Sequence, residues 1–363
     1  MPRVLIFSIS YDPYWGGAEI AIREITRCLP DVHFDIVTLR FRNSDKSYEE
    51  FGNINLYRVR GGKYLYPFIA SIKGLILHRK NPYNVVWSMM ANYAGFAGLF
   101  FSYIAKKPES LLTLQEGDPF EYILKRVRFI LPVFKKIFER ADNIQAISHY
   151  LAEFGIKMGF KGKPYVIPNG VDIERFGNRA PWPRKRKEKI LITTSRLVEK
   201  NAIDNIIFAI KVLPPSIKLF ILGTGPLEKE LKKLVAELNL KDRVGFFGFV
   251  RHEEMSWYFN KADIFVRPSR SEGLGNSFLE AMAIGIPVIG TPVGGIPDFL
   301  HDKKTGFFVR VDDPVDIAKK VSYILDKKNV DKVGRIIENA RTLVEEEYSW
   351  GKIANDMKRF FIK

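Results

Sequence analysis

Residues 264–284 read Ile264-Phe265-Val266-Arg267-Pro268-Ser269-Arg270-Ser271-Glu272-Gly273-Leu274-Gly275-Asn276-Ser277-Phe278-Leu279-Glu280-Ala281-Met282-Ala283-Ile284. Apolar, β-favouring residues open the stretch, a proline and two glycines break it, and good helix formers close it. The order predicts a strand, a glycine-rich turn and a helix. Gly275, Asn276 and Ser277 then place backbone amides at a helix N-terminus, where unpaired N–H groups and the positive end of the dipole suit an anion such as a diphosphate. Glu272 and Glu280 flank the turn with seven residues between them. Carboxylates in those places are unsuited to phosphate but can accept hydrogen bonds from sugar hydroxyls. The plainer alternative is a surface Glu272 and a Glu280 that only complements the dipole.

Outward from this unit the same alternation repeats. Residues 189–194, 219–222, 244–247, 264–266 and 287–289 read as strands separated by helices. Upstream, residues 3–9, 34–39, 54–59, 84–88, 110–114, 143–147 and 165–167 form an earlier series, with helices such as 18–29 and 122–140 between several of them. Strands alternating with helices predict parallel, doubly wound sheets, here two of them. The turn-rich and charged stretch around Pro168-Asn169-Gly170-Val171-Asp172 and residues 180–187 marks the boundary. The expected division is residues 1–170, a linker over 171–188, a second domain over 189–345, and a terminal segment over 346–363. The basic run 184–187 reads as part of a solvated linker, with phosphate contact the alternative.

A length of 363 residues suits two domains of about 150 to 200 residues each. A 46% hydrophobic and 27% charged composition argues against disorder. The single cysteine, Cys28, has no partner for an internal disulfide or thiolate metal site and reads as a buried small hydrophobe near a helix end. Met1-Pro2-Arg3 runs straight into a strand, without the apolar block and cleavage site of a secretory leader, so a cytoplasmic location is expected. Residues 85–105 are uncharged and long enough to span a bilayer, but their polar and glycine residues divide them into strand, turn and buried helix. The formal net charge of +16 calls for an anionic partner: nucleic acid, anionic lipid or a phosphorylated substrate.

Several motifs together carry a resemblance. They are the pair Glu272/Glu280 after Arg267-Pro268-Ser269, the run Gly290-Thr291-Pro292-Val293-Gly294-Gly295-Ile296-Pro297-Asp298, and Pro168-Asn169-Gly170-Val171-Asp172 with Phe176. Ser195-Arg196-Leu197-Val198-Glu199-Lys200, Gly223-Thr224-Gly225-Pro226 and Gly248 complete the set. In this order they resemble glycosyltransferase family 4 over essentially the whole chain. The resemblance implies an α/β GT-B fold, two Rossmann-like domains facing a cleft, with acceptor bound by the first and nucleotide sugar by the second. The terminal segment would return to the first domain, and hinge closure would exclude water. It implies retention of anomeric configuration. Glu280 would hold the ribose and Glu272 the transferred sugar, while the amides of Gly275, Asn276 and Ser277, with Arg196 and Lys200, would meet the diphosphate. Gly223 and Gly248 would border the donor. Gly16 and Gly17, in the first strand-to-helix loop, would border acceptor and phosphate. No Asp-x-Asp stands at a strand end to carry a magnesium diphosphate, so neither metal nor other cofactor is expected. Fixed positive groups must then stabilise the departing nucleoside diphosphate.

Two departures stand out. The family usually has Lys-Gly where this chain has Asn201-Ala202, leaving Lys200 to serve one residue earlier. It often has histidine near Gln115, in Leu112-Thr113-Leu114-Gln115-Glu116-Gly117-Asp118. Glutamine cannot exchange a proton at neutral pH but can orient a hydroxyl. Gln115 is therefore a positioning candidate and Glu116 a catalytic one, with Asp118 a turn cap. Residues 122–140 mix six cations with an apolar series, kinked by Pro132, and suit either an anionic membrane or a core helix with a basic outer face. The expected partners are a nucleotide sugar and a glycan or lipid-linked acceptor, with contact to the inner face of the cell membrane and no nucleic acid. A sugar-nucleotide epimerase or a glycan phosphorylase remains an alternative on the same scaffold, as does a basic binding protein without enzymatic activity.

Overall fold

A computed structural model describes residues 1–105, 108–177 and 182–362. The chain divides into two compact units, residues 1–170 with 350–363, and residues 171–349.

The first unit is a sheet of β1 (Arg3–Phe7), β2 (His33–Leu39), β3 (Tyr48–Phe51), β4 (Ile54–Val59), β5 (Val85–Met89), β6 (Glu109–Leu114), β7 (Asn143–Ala146) and β8 (Tyr165–Val166). Their order is β3-β4-β2-β1-β5-β6-β7-β8, parallel except where β3 pairs antiparallel with β4. Crossings are made by α1 (Gly17–Arg27), α2 (Gly62–Lys80), α3 (Tyr93–Ile104), α4 (Phe120–Val127), α5 (Leu131–Glu139) and α6 (His149–Lys157). Residues 85–105 fold as β5 and α3, and among the described residues no helix is long and apolar enough to cross a membrane. The helix expected over 122–140 breaks at a 3-10 turn, Arg128–Ile130, because Pro132 has no amide to continue the preceding helix and starts a new one instead. Cys28 is only half-buried, as the C-cap of α1, where it packs against the edge of the core beside the exposed Arg27.

The second unit is β9 (Lys189–Thr194), β10 (Ile217–Leu222), β11 (Val244–Gly248), β12 (Ile264–Arg267), β13 (Val288–Gly290) and β14 (Phe307–Phe308), parallel in the order β11-β10-β9-β12-β13-β14. Its helices are α7 (Ile173–Phe176), α8 (Ile203–Val212), α9 (Glu228–Glu237), α10 (Met255–Phe259), α11 (Asn276–Ile284), α12 (Pro314–Leu325) and α13 (Val330–Glu347). An aliphatic core of Leu191, Ile206, Ile210, Leu219, Ile264 and Val321 lies against one face of the sheet.

The stretch expected as a linker belongs to this second unit, apart from residues 178–181, which lie outside the described residues. Its basic run is not simply solvated. Asp263 is 1% exposed, and its buried carboxylate draws in Arg186 (2.5 Å) and Lys189 (3.6 Å), while Arg184 donates to the Ala262 carbonyl (2.9 Å).

The last helix, α14 (Trp350–Phe361), packs into the first unit's core, with the Phe361 ring 5.4 Å from Trp87 and 5.8 Å from Phe34.

Candidate functional site

The strand order of the second sheet reverses at β9. The chain leaving β9 and the chain leaving β12 therefore diverge, which opens a crevice at the carboxyl edge of adjacent strands. Arg196 follows β9 with its side chain exposed and its carbonyl accepting from the Val198 N–H (2.9 Å). Lys200 lies in a 3-10 turn, Glu199–Asn201, and its carbonyl accepts from the Arg270 N–H (2.7 Å). Gly223 follows β10 at φ 128, and its N–H donates to the carbonyl of Gly248 (2.7 Å), the last residue of β11. A Cβ on Gly223 would stand 1.9 Å from the Ser195 carbonyl, so only glycine lets these loops close against each other.

After β12 the chain reaches Gly275, left-handed at φ 95, the N-cap of α11, which has no side chain to cap the helix. Glu272 and Glu280, 8% and 9% exposed, are both buried beside that turn. Each has a cationic or N–H partner, as burial requires. Glu272 pairs with the Arg267 guanidinium and accepts from the Gly273 N–H (3.1 Å). Its own carbonyl accepts from Gly295 (3.1 Å), and Gly294 at φ 57 passes so close that a Cβ would be 1.8 Å from that oxygen. The glycine pair after β13 thus fixes Glu272 from behind. Arg267 also donates to Ser277 Oγ (3.0 Å) and to Asn201 Oδ1 (3.3 Å), and Asn201 Nδ2 donates to the Arg196 carbonyl (2.7 Å). One guanidinium therefore ties together Glu272, the start of α11 and the loop carrying Arg196. Glu280 Oε1 takes a separate bond from His252 Nε2 (2.8 Å).

In the first unit Gln115 and Glu116 follow β6. Gln115 is oriented by Asn169, whose Nδ2 donates to Oε1 (3.1 Å). Glu116 is buried, and its Oε1 accepts from the Ala91 N–H (2.7 Å) after β5, where Met90 takes φ 73. Burial pushes the Glu116 carboxyl up to about 7 against the opposing pull of backbone N–H groups. Gly16 and Gly17 are exposed at the start of α1, where the Gly16 N–H donates to Glu19 Oε2 (2.9 Å).

The second unit brings together Glu272, Glu280, Gly275, Asn276, Ser277 and the loop of Arg196 and Lys200. Gln115, Glu116, Gly16 and Gly17 lie in the first unit. In the sequence, Arg267 and Asn201 were quoted within motifs without either being given a role, and His252 was not singled out. An arginine closing a buried strand five residues before a glutamate was a usable signal for Arg267. Asn201 and His252, on loops, gave none.

The sequence profile described as glycosyl transferases group 1 matches residues 174–343, and that of Glycosyltransferase Family 4 matches residues 15–175. An uncharacterised glycosyltransferase of Methanocaldococcus jannaschii is 26% identical over 99% of this chain and 98% of its own length. A GDP-mannose-dependent alpha-(1-6)-phosphatidylinositol monomannoside mannosyltransferase of Mycobacterium tuberculosis is 29% identical over 64% of this chain and 65% of its own. Among solved structures, sucrose-phosphate synthase from Thermosynechococcus elongatus superposes with TM-score 0.87 at 22% identity, covering 99% of this chain and 98% of that one. Anabaena HepE, solved with UDP-glucose, gives 0.82 at 19% identity over 98% of both chains. Two parallel α/β units and these matches define the class, a glycosyltransferase of the GT-B fold. The chain belongs to glycosyltransferase family 4.

Proposed function

We propose that the chain is a retaining, metal-independent transferase that moves a sugar from a nucleoside diphosphate to a hydroxyl of a glycan or lipid-linked acceptor. The observation that carries this reading is the glycine N-cap of α11 between two buried, oriented carboxylates at the reversal of the second sheet. The amides of Gly275, Asn276 and Ser277 take the diphosphate, Glu280 the ribose hydroxyls and Glu272 those of the sugar. Arg196 and Lys200, with the helix N-terminus, meet the charge that develops on the leaving diphosphate, the work a divalent cation does elsewhere. Gly223 and Gly248 shape the donor side, and Gly16 and Gly17 the acceptor side.

For retention, acceptor attack comes from the face the diphosphate leaves, and a phosphate oxygen helps receive the acceptor's proton. Gln115, held by Asn169, orients a hydroxyl without exchanging protons. Glu116, titrating near neutrality and with Oε2 unpartnered among the described residues, is the catalytic candidate for a proton.

The basic charge serves phosphate and an anionic membrane rather than nucleic acid, and the enzyme works in the cytoplasm, in part at the inner face of the cell membrane. Phe129 is 83% exposed with Arg128 over its ring, and α4 buries no residue, although Phe134, Ile137 and Phe138 of α5 belong to the core. Along α2, Tyr64 (81% exposed), Phe68, Ile72 and Ile76 form an exposed apolar stripe on a helix without an acidic residue. Incubating UDP-, GDP- and ADP-sugars with the protein in chelator tests the reaction. Release of nucleoside diphosphate from one donor supports it, and reversible epimerisation without that release, or a strict need for metal, defeats it.

A further inference from the structure

Glu280 reaches the crevice on the second turn of α11, and what fixes its carboxylate comes from elsewhere in the fold. His252 begins the 3-10 turn His252–Glu254 that follows β11, and its Nε2 is 2.8 Å from Glu280 Oε1. Its other ring nitrogen, Nδ1, is 3.2 Å from Arg175 Nη1. A guanidinium only donates, so Nδ1 must accept, and the ring proton must be on Nε2 and point at the carboxylate. Arg175 is itself held by Asp172 (3.5 Å), which caps α7, and the Phe176 ring lies 5.6 Å from the imidazole. The four polar side chains are all largely buried, from 11% to 27% exposed. The arrangement leaves Glu280 Oε2 without a hydrogen bond among the described residues, and Oε1 retains acceptor capacity beside the histidine. A carboxylate presented in this way, one oxygen pinned and the other open, suits a cis-diol.

We infer that His252 is a positioning residue that orients Glu280, through a relay from Asp172 and Arg175, and so sets the enzyme's discrimination for the ribose hydroxyls of its nucleotide. The inference rests on the assignment of Glu280 to the ribose. Without the Nε2–H the carboxylate can rotate or draw in water, and the diol loses its fixed acceptor. The phosphate and base contacts stay as they are, so the effect falls on the preference for a ribose over a deoxyribose more than on diphosphate binding as such.

The test is calorimetric titration of the full chain with UDP, GDP and ADP, then with the 2′,3′-dideoxy form of whichever binds tightest. A hydrogen bond to a charged group corresponds to roughly a 10- to 100-fold preference for the ribose form in the wild-type protein. His252→Gln, whose amide N–H replaces Nε2–H, keeps most of that preference. His252→Asn, whose amide reaches only as far as Nδ1, reduces it to about threefold or less. A merely structural histidine would have both variants behave alike. Glu280→Ala separates the two levels of the argument. A wild-type protein with no ribose preference, or Glu280→Ala with its preference intact, overturns the ribose assignment and the inference with it. Loss of preference in Glu280→Ala together with full preference in a folded His252→Asn overturns the role of His252 alone. Should His252→Asn fail to fold, Arg175→Met, which removes the Nδ1 partner from another element, is read in the same way.

Discussion

Glu116→Gln offers a quantitative check on the acid buried behind Gln115. The wild-type carboxyl titrates at about 7 in the folded chain, against an ordinary value of 4.5, because burial disfavours its charge. Between those values the folded state binds a proton that the unfolded chain has released. Stability from this group is therefore complete below about pH 4.5 and is lost as the pH rises through about 7. The interval corresponds to about 3 kcal/mol, an upper figure for a single buried carboxyl. In melting temperature of the unit that carries it, this is roughly 6 to 12 °C. Glutamine keeps an oxygen to accept the Ala91 N–H but cannot ionise. Any constant cost of the amide is the same at both pH values, so only the change with pH is diagnostic. Thermal melts of wild type and variant at about pH 4.5 and about pH 8 should show the wild type losing several degrees relative to Glu116→Gln. Parallel behaviour of the two proteins would refute the reasoning and place the carboxyl in contact with water or a cation.

Arg267→Met removes the cation facing buried Glu272 and should destabilise by roughly 3 kcal/mol, with much of the loss recovered when Glu272→Leu is added; equal stability of single and double variants in denaturant titrations would oppose the pairing. Ala202, buried at φ 49, bears a left-handed strain that glycine escapes, so Ala202→Gly should raise stability by about 0.5 to 1 kcal/mol, a gain that a lower melting temperature would contradict. Flotation with anionic vesicles at low salt should recover the wild-type protein, and Phe68→Ser with Phe129→Ser should weaken recovery about fivefold or more. Equal flotation of that pair, or none by the wild type, removes the membrane from the account.

Strands buried on both faces, such as β1, β2 and β9, announced themselves as short apolar runs between turn signals, and they placed both sheets. The antiparallel β3 did not, because Tyr-Glu-Glu-Phe at an edge is polar and mostly exposed, and β14 is two residues long. The carboxylate pair and the glycines around α11 were legible because their spacing along one turn is local. The pinning of Glu272 by Arg267 and of Glu280 by His252 was not, since those contacts join loops brought together only when parallel strands align. The Asn201-Ala202 departure shows the same limit. Asn201 proved to be a buried bridge between Arg196 and Arg267, a role that spacing alone does not disclose.

Calorimetric titration of UDP-, GDP- and ADP-sugars in chelator, against wild type, Glu280→Ala and Arg196→Ala, tests the donor site most directly. One donor should bind the wild-type protein without metal, and each substitution should weaken it roughly 10- to 100-fold while the melting profile stays close to wild type. Binding of none of the donors by the wild-type protein, or equal affinity in all three proteins, would contradict the assignment of the Glu272-to-Glu280 turn as the place where the nucleotide sugar is held.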